Sequence, residues 1–112
     1  MNKQILKQYD TEFYKLRTGE KCIRITNPIN SYLYMYRIAE DVEDLLNDVN
    51  LALNGKLSEI EDPFYIGNGL FFRGQIKAAE FEIYSPDGSA RIIVPLTDFK
   101  ELLSSWKEYL ER

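Results

Sequence analysis

Two amphipathic helices constrain the fold of this chain more than any other sequence feature. In residues 98–111, apolar side chains recur at helical spacing and fall on one face: Phe99, Leu102, Leu103, Trp106 and Leu110. Thr97 is the predicted N-cap of this helix. Because the apolar face runs along the whole helix, it must lie against another layer of the protein.

The other helix is predicted over residues 38–54, with Gly55 after it as a left-handed stop. Its apolar positions also fall on one stripe: Ile38, Val42, Leu45, Leu46, Val49 and Leu53. Acidic residues occupy its early turns, where they favour the helix dipole. The chain therefore needs a surface on which two helices can pack.

A hairpin is the clearest strand signal. Residues 80–84 and 89–94 are strand-like segments on either side of Ser-Pro-Asp-Gly at 85–88, a sequence typical of a type I turn. A four-residue loop predicts the cross-strand pairs Tyr84–Ser89, Ile83–Ala90, Glu82–Arg91 and Phe81–Ile92. This register puts the apolar pairs on the inner face and the Glu82–Arg91 ion pair on the outer face.

Three further segments read as strands. Residues 13–17 and 21–26 flank Thr18-Gly19-Glu20 and predict a hairpin, which Asn27-Pro28 ends. Residues 31–37 predict a strand with three tyrosines on one face: Tyr32, Tyr34 and Tyr36. Residues 70–73 predict a short strand after a Gly-Asn-Gly turn at 67–69, with Gly74 as its end.

This order of elements indicates an α+β fold. It predicts a mainly antiparallel sheet of about five or six strands, with the two amphipathic helices packed on it. The length of 112 residues suits one domain, residues 1–112, with a hydrophobic core of its own.

Composition narrows the chemistry. The chain has no His and a single Cys, which removes the His-based catalytic triads, the usual zinc sites and any intrachain disulfide. No enzyme activity, cofactor or metal is therefore expected. The sequence has neither the apolar run of a signal peptide nor a membrane span, so we expect a cytoplasmic protein without a membrane partner.

Negative charge is concentrated in one segment. The chain carries 14 basic and 18 acidic residues, yet residues 38–62 alone contain eight acidic residues and one basic residue, a net charge of −7. The candidate partner-binding residues come from this segment: Glu40, Glu43, Asp44, Asp48, Leu51, Glu59, Glu61 and Asp62. Leu51 lies opposite the apolar stripe by helical angle, as an anchor ringed by carboxylates would. The alternative interpretation is a solvated helix face followed by a polar loop, which is the commoner origin of a charge run of this kind.

The tail of the chain resembles a known class. Residues 93–110, which read Ile-Val-Pro-Leu-Thr-Asp-Phe-Lys-Glu-Leu-Leu-Ser-Ser-Trp-Lys-Glu-Tyr-Leu, are similar to the closing strand and helix of many bacterial immunity proteins. These are the partners of polymorphic and contact-dependent growth inhibition toxins. The resemblance implies a protein that binds a cognate toxin, often a basic nuclease, and blocks it.

Two other functions stay open at this point. A small-ligand or nucleic-acid-binding module would use the tyrosine-rich strand, because aromatic side chains stack on bases. A structural subunit of a phage or plasmid assembly would instead show a large apolar interface. The acidic net charge argues against nucleic acid as the main ligand, since binding phosphates needs a basic surface.

Overall fold

The computed structural model describes residues 1–66 and 72–112. Within them are the helices α1 (Lys3–Gln8), α2 (Pro28–Tyr34), α3 (Ala39–Leu53) and α4 (Leu96–Glu111), and a 3-10 helix (Leu57–Glu59). The strands are β1 (Phe13–Lys15), β2 (Lys21–Ile23), β3 (Phe64–Ile66), β4 (Arg73–Ile76), β5 (Glu80–Tyr84) and β6 (Arg91–Pro95).

The α+β class is confirmed, but the single sheet of five or six strands is wrong. The strands divide into two antiparallel sheets, a hairpin of β1 and β2 and a four-stranded sheet in the order β3-β4-β5-β6. The division has a local cause, because α2 and α3 follow β2 and separate the hairpin from the later strands.

Helix α4 lies at the centre of the core. It packs against α3 and against β5 and β6 of the four-stranded sheet. Phe99 stacks on Phe81 of β5, with ring centroids 4.0 Å apart. Trp106 is fully buried as expected, yet its ring lies 5.1 Å from that of Phe13 in the small hairpin. Its indole N–H donates to the Tyr36 carbonyl at 2.6 Å. The apolar stripe therefore joins the two sheets instead of facing only one.

The starts of both long helices differ from the prediction. Helix α4 begins at Leu96 with Pro95 in the N-cap position, so Thr97 lies in the first turn and is not the cap. Leu96 is fully buried, and its N–H donates to the Ala79 carbonyl at 3.0 Å, which joins the helix start directly to the sheet. Ile38 is the N-cap of α3, has extended backbone and is 60% exposed, so it does not belong to the stripe.

The segment expected as a tyrosine-rich strand is the helix α2. The side chain of Asn27 accepts a hydrogen bond from the Asn30 N–H at 2.9 Å, and Pro28 follows in the first helical turn. Both features are helix-start signals, so the Asn27-Pro28 pair begins a helix as well as ending the hairpin. The buried residues of α2 follow helical spacing: Ile29, Asn30, Tyr32 and Leu33.

The β5–β6 register differs from the predicted one by two residues. The observed pairs are Tyr84–Arg91, Ile83–Ile92, Glu82–Ile93, Phe81–Val94 and Glu80–Pro95. The β-turn at residues 85–88 forms as expected, with the Gly88 N–H donating to the Ser85 carbonyl at 3.0 Å. However, the Ser85 N–H also donates to the Ala90 carbonyl at 2.9 Å, so Ser85 pairs with Ala90 and Ser89 joins the connection. Because the shift is even, the inner and outer faces are those predicted.

The remaining strand predictions are partly confirmed. The first hairpin forms with shorter strands than expected, pairing Phe13 with Ile23. Gly74 does not end a strand, because β4 begins at Arg73 and continues through Gly74 to Ile76. The predicted turn at 67–69, and residues 70 and 71 of the predicted strand, lie outside the described residues.

Helix α1 was not predicted, and one contact attaches its end to α4. The Tyr9 hydroxyl donates to the Asp98 carboxylate at 2.5 Å. Burial, together with this hydrogen bond, raises the pKa of Tyr9 to about 12. The helix has only six residues, none of them fully buried, so it is too short to show the periodic apolar stripe that identifies a helix in sequence.

Glu82 forms an ion pair with Arg91 although the two residues are not directly opposite. Arg91 Nε lies 2.6 Å from the Glu82 carboxylate, across a diagonal of the sheet. Lys77 Nζ lies 2.5 Å from the same carboxylate. The hydrogen bond from Lys77, helped by Arg91, lowers the pKa of Glu82 below its ordinary value of 4.5.

These contacts predict a pH-dependent stability. A carboxylate whose pKa is lowered by folding stabilises the protein above its unfolded pKa, and this contribution is lost as pH falls through the folded pKa, below 4.5. Glu82→Gln should therefore cost roughly 1 kcal/mol at neutral pH and much less at acidic pH. Urea unfolding at pH 7 and at about pH 3 measures this difference. Glu80→Gln on the same strand face is the control, and an equal pH dependence in both variants would contradict the assignment.

Candidate protein-binding surface

Helix α3 carries the acidic face, defined here as Glu40, Glu43, Asp44 and Asp48. The helix buries Val42, Leu45, Val49 and Ala52 against the rest of the protein. On the other side, Glu40, Glu43 and Asp44 are exposed, and Asp48 is half-buried. The four carboxylates thus lie along about two turns of one helix.

The carboxylates of this face differ in how they are engaged. Glu43 lies 3.5 Å from Lys107 Nζ of α4, an ion pair that links the two helices. Within the part of the chain that the structure describes, neither Glu40 nor Asp44 has an ion-pair partner. The carboxylates of Glu40 and Asp44 are therefore available to a partner, whereas Glu43 would first have to break its ion pair with Lys107.

Leu51 does not stand exposed at the centre of the acidic face. Its side chain is half-buried and packs against the core cluster. The chain turns back after α3 at Gly55, whose φ is +75°, and the 3-10 helix then packs against α3. Leu57 of that 3-10 helix is also partly buried against the core. The helical angle alone places Leu51 outward, but it takes no account of a later segment covering the helix.

The other candidate carboxylates follow on the segment after α3. Glu59 ends the 3-10 helix, and Glu61 and Asp62 lie in the connection to β3. All three are exposed. Asp62 accepts a hydrogen bond from the Phe64 N–H at 3.0 Å, which holds the start of β3. The structure therefore divides the predicted set between α3 and the segment that packs against it.

The described residues contain no cluster of three or more His, Cys, Asp or Glu side chains able to hold a metal ion. The carboxylates of α3 are spread along its surface and do not converge on one point. A spread of like charge suits a broad, oppositely charged surface, since such a field acts over several ångströms.

The tyrosines do not form the stacking surface that a small-ligand or nucleic-acid-binding module would require. Tyr32 is fully buried, and its hydroxyl lies 2.6 Å from that of Tyr36. The Tyr34 hydroxyl hydrogen-bonds to the Cys22 sulfur at 3.4 Å, which is the main reason that the pKa of Tyr34 rises to about 12. Burial raises the pKa of Tyr36 to about 12. These side chains belong to the core, so the tyrosine-rich sheet face is a wrong prediction.

Ile93 was not among the site residues predicted from the sequence. Ile93 is 45% exposed on the outer face of the four-stranded sheet, next to the ion pair of Glu82 and Arg91. Alternation along β6 places Ile93 on the same outer face as Arg91 in both the predicted and the observed register, but the sequence does not show that this strand lies at the sheet edge.

Comparison with protein-family models, with curated proteins and with solved structures finds no match for this chain. Among the helices that the structure describes, none combines the length and the apolar character that crossing a membrane requires.

Proposed function

We propose that this chain is an immunity protein that binds a cognate toxin domain in the cytosol and neutralises it without catalysis. The observation that supports the proposal is the acidic face of α3, with Glu40 and Asp44 exposed one turn apart and without ion-pair partners among the described residues. The resemblance of residues 93–110 to immunity proteins points to the same class of function.

The toxin that suits this surface is a basic, nuclease-type domain. An enzyme that binds nucleic acid needs a positively charged surface to neutralise phosphates. The carboxylates of the acidic face would take the place of those phosphates and cover the cleft. Exposed charge of this kind speeds association and makes it sensitive to salt.

Charge reversal on α3 tests the proposal. Glu40→Lys with Asp44→Lys should weaken binding by more than about 2 kcal/mol, roughly thirtyfold in Kd, because four units of charge change at an exposed interface. The probe is the domain encoded by the reading frame immediately upstream, and calorimetry at two salt concentrations measures the binding. Protection of growing cells against the same domain is the second readout. Asp48 is left unchanged because it is half-buried.

A matched variant controls for net charge. Glu12→Lys with Glu20→Lys changes the charge equally next to the small hairpin, where both residues are exposed and pair with exposed arginines. It should retain tight binding and protection. If the two double variants behave alike, or if reversal on α3 leaves binding intact, the acidic face is only a solvated surface.

A further inference from the structure

Strand β6 has one backbone edge without a neighbouring strand in the described part of the chain. It ends the strand order of the four-stranded sheet. On its inner edge, the Ala90 carbonyl accepts the Ser85 N–H and the Leu96 N–H donates to Ala79. Since backbone groups alternate in direction along a strand, residues 91, 93 and 95 direct their backbone polar groups outward, away from β5.

The outward edge is short and has a defined pattern of donors and acceptors. Arg91 and Ile93 each present one N–H and one carbonyl, whereas Pro95 presents a carbonyl and has no N–H. All three residues are exposed. Unpaired backbone groups on an exposed edge are a template for another strand, so their chemistry specifies a β-strand as the occupant.

We propose that this edge binds a second copy of the same chain, with the two β6 strands antiparallel and Ile93 opposite its counterpart on a twofold axis. The two Ile93 residues then exchange both of their backbone hydrogen bonds. Each Arg91 N–H donates to the Pro95 carbonyl of the other copy. All four outward N–H groups are used, and the only donors missing from the ladder are those that the two prolines lack, one at each end. The result is one continuous sheet of eight strands.

Side chains on the outer face support this register. The exposed Ile93 side chains meet each other at the axis and leave water. A register that centres on Arg91 would instead place two like charges opposite each other, which is destabilising.

Charge complementarity supports the same pairing. Arg91 lies opposite Pro95 of the second copy, and beyond that proline lies Glu80 of the second copy, because Glu80 pairs with Pro95 within each chain. Glu80 has no ion-pair partner among the described residues. Arg91 uses its Nε and one terminal nitrogen on Glu82, so its other terminal nitrogen can donate to Glu80 of the second copy.

The acidic net charge of the chain does not oppose this contact. Four charged side chains lie together on the outer face beside β6, Lys77, Glu80, Glu82 and Arg91, and their charges sum to zero. The excess negative charge is located in residues 38–62. The inference therefore does not depend on the proposed function and uses a different surface.

Amide hydrogen exchange across a concentration series tests the register directly. A contact of one strand pair is small, so the dimer should populate toward about 1 mM chain. The Arg91 and Ile93 amides should exchange more slowly as the concentration rises, whereas those of Ile92 and Val94, already bonded to β5, should not change. Sedimentation of the same samples measures the dimer.

A charged residue on the twofold axis provides a second test of the dimer. Ile93→Lys should raise the dimer dissociation constant at least about tenfold, because two like charges meet at the axis. Phe64→Lys is the control, since Phe64 is similarly exposed but lies on the opposite edge strand. A chain that stays monomeric, a dimer that leaves the Arg91 and Ile93 amides unprotected, or an equal effect of both variants overturns the proposal.

Discussion

Trp106→Ala is expected to lower the free energy of unfolding by about 3–5 kcal/mol. The side chain is fully buried between Phe13 of the small hairpin and Tyr109 of its own helix. Truncation leaves a large cavity and also removes the indole N–H that donates to the Tyr36 carbonyl at 2.6 Å. A loss of this size approaches the total stability of a small domain. Urea unfolding followed by far-UV circular dichroism measures it, since the variant has no tryptophan left to report fluorescence.

Trp106→Phe is the matched control. It keeps an aromatic ring in the core but removes the N–H donor and part of the volume, so its cost should be clearly smaller than that of alanine. A melting temperature within a degree or two of wild type for Trp106→Ala would show that α4 does not join the two sheets as described.

Gly74→Ala is expected to destabilise the protein by about 3 kcal/mol, the upper end for overpacking a core. A Cβ at this position would lie 2.4 Å from Phe81 Cζ and 2.7 Å from the Tyr32 hydroxyl. Phe81 has little room to move, because its ring is fully buried and stacks on Phe99 at 4.0 Å. The methyl group can be accommodated only by displacing the packing between β4, α2 and α4. Thermal and urea unfolding both measure this loss.

Two further variants separate the clash from the strand preference of alanine. Gln75→Ala puts the same residue on the next position of β4, where the side chain faces the other side of the sheet, and should cost much less. Combining Gly74→Ala with Phe81→Leu should cost less than the sum of the two single changes, because the shorter side chain makes room for the methyl group. Additive losses would mean that Gly74 and Phe81 are not in contact.

The sequence was most informative where a pattern was long. The stripes of α3 and α4 extend over three or more turns, and both helices form within two residues of the predicted bounds. The strand predicted for residues 31–37 was wrong. Alternation over only seven residues fits a strand, but the helix-start residues Asn27 and Pro28 favour a helix. For the hairpin of β5 and β6, the predicted turn was correct and the predicted register was wrong. Backbone hydrogen bonds, which the sequence does not show, decide whether Ser89 pairs with β5 or belongs to the connection.

The surfaces were only partly predictable. Charge is visible in sequence, so the exposure of Glu40 and Asp44 followed from the helical stripe alone. The partial burial of Leu51 did not, because a helical angle takes no account of packing by segments outside the helix. The edge position of β6 requires the strand order, which no local pattern in this chain specifies.

The central position of α4 has a consequence for how the chain folds as it is synthesised. The aromatic residues that join the two sheets, Phe99 and Trp106, belong to the last helix along the described chain. Until that helix has left the ribosome, the parts of β5 and α3 that α4 covers remain open to water. Formation of the core is therefore a late event that needs contacts between residues distant in sequence, and a nascent chain without α4 exposes apolar surface that favours aggregation.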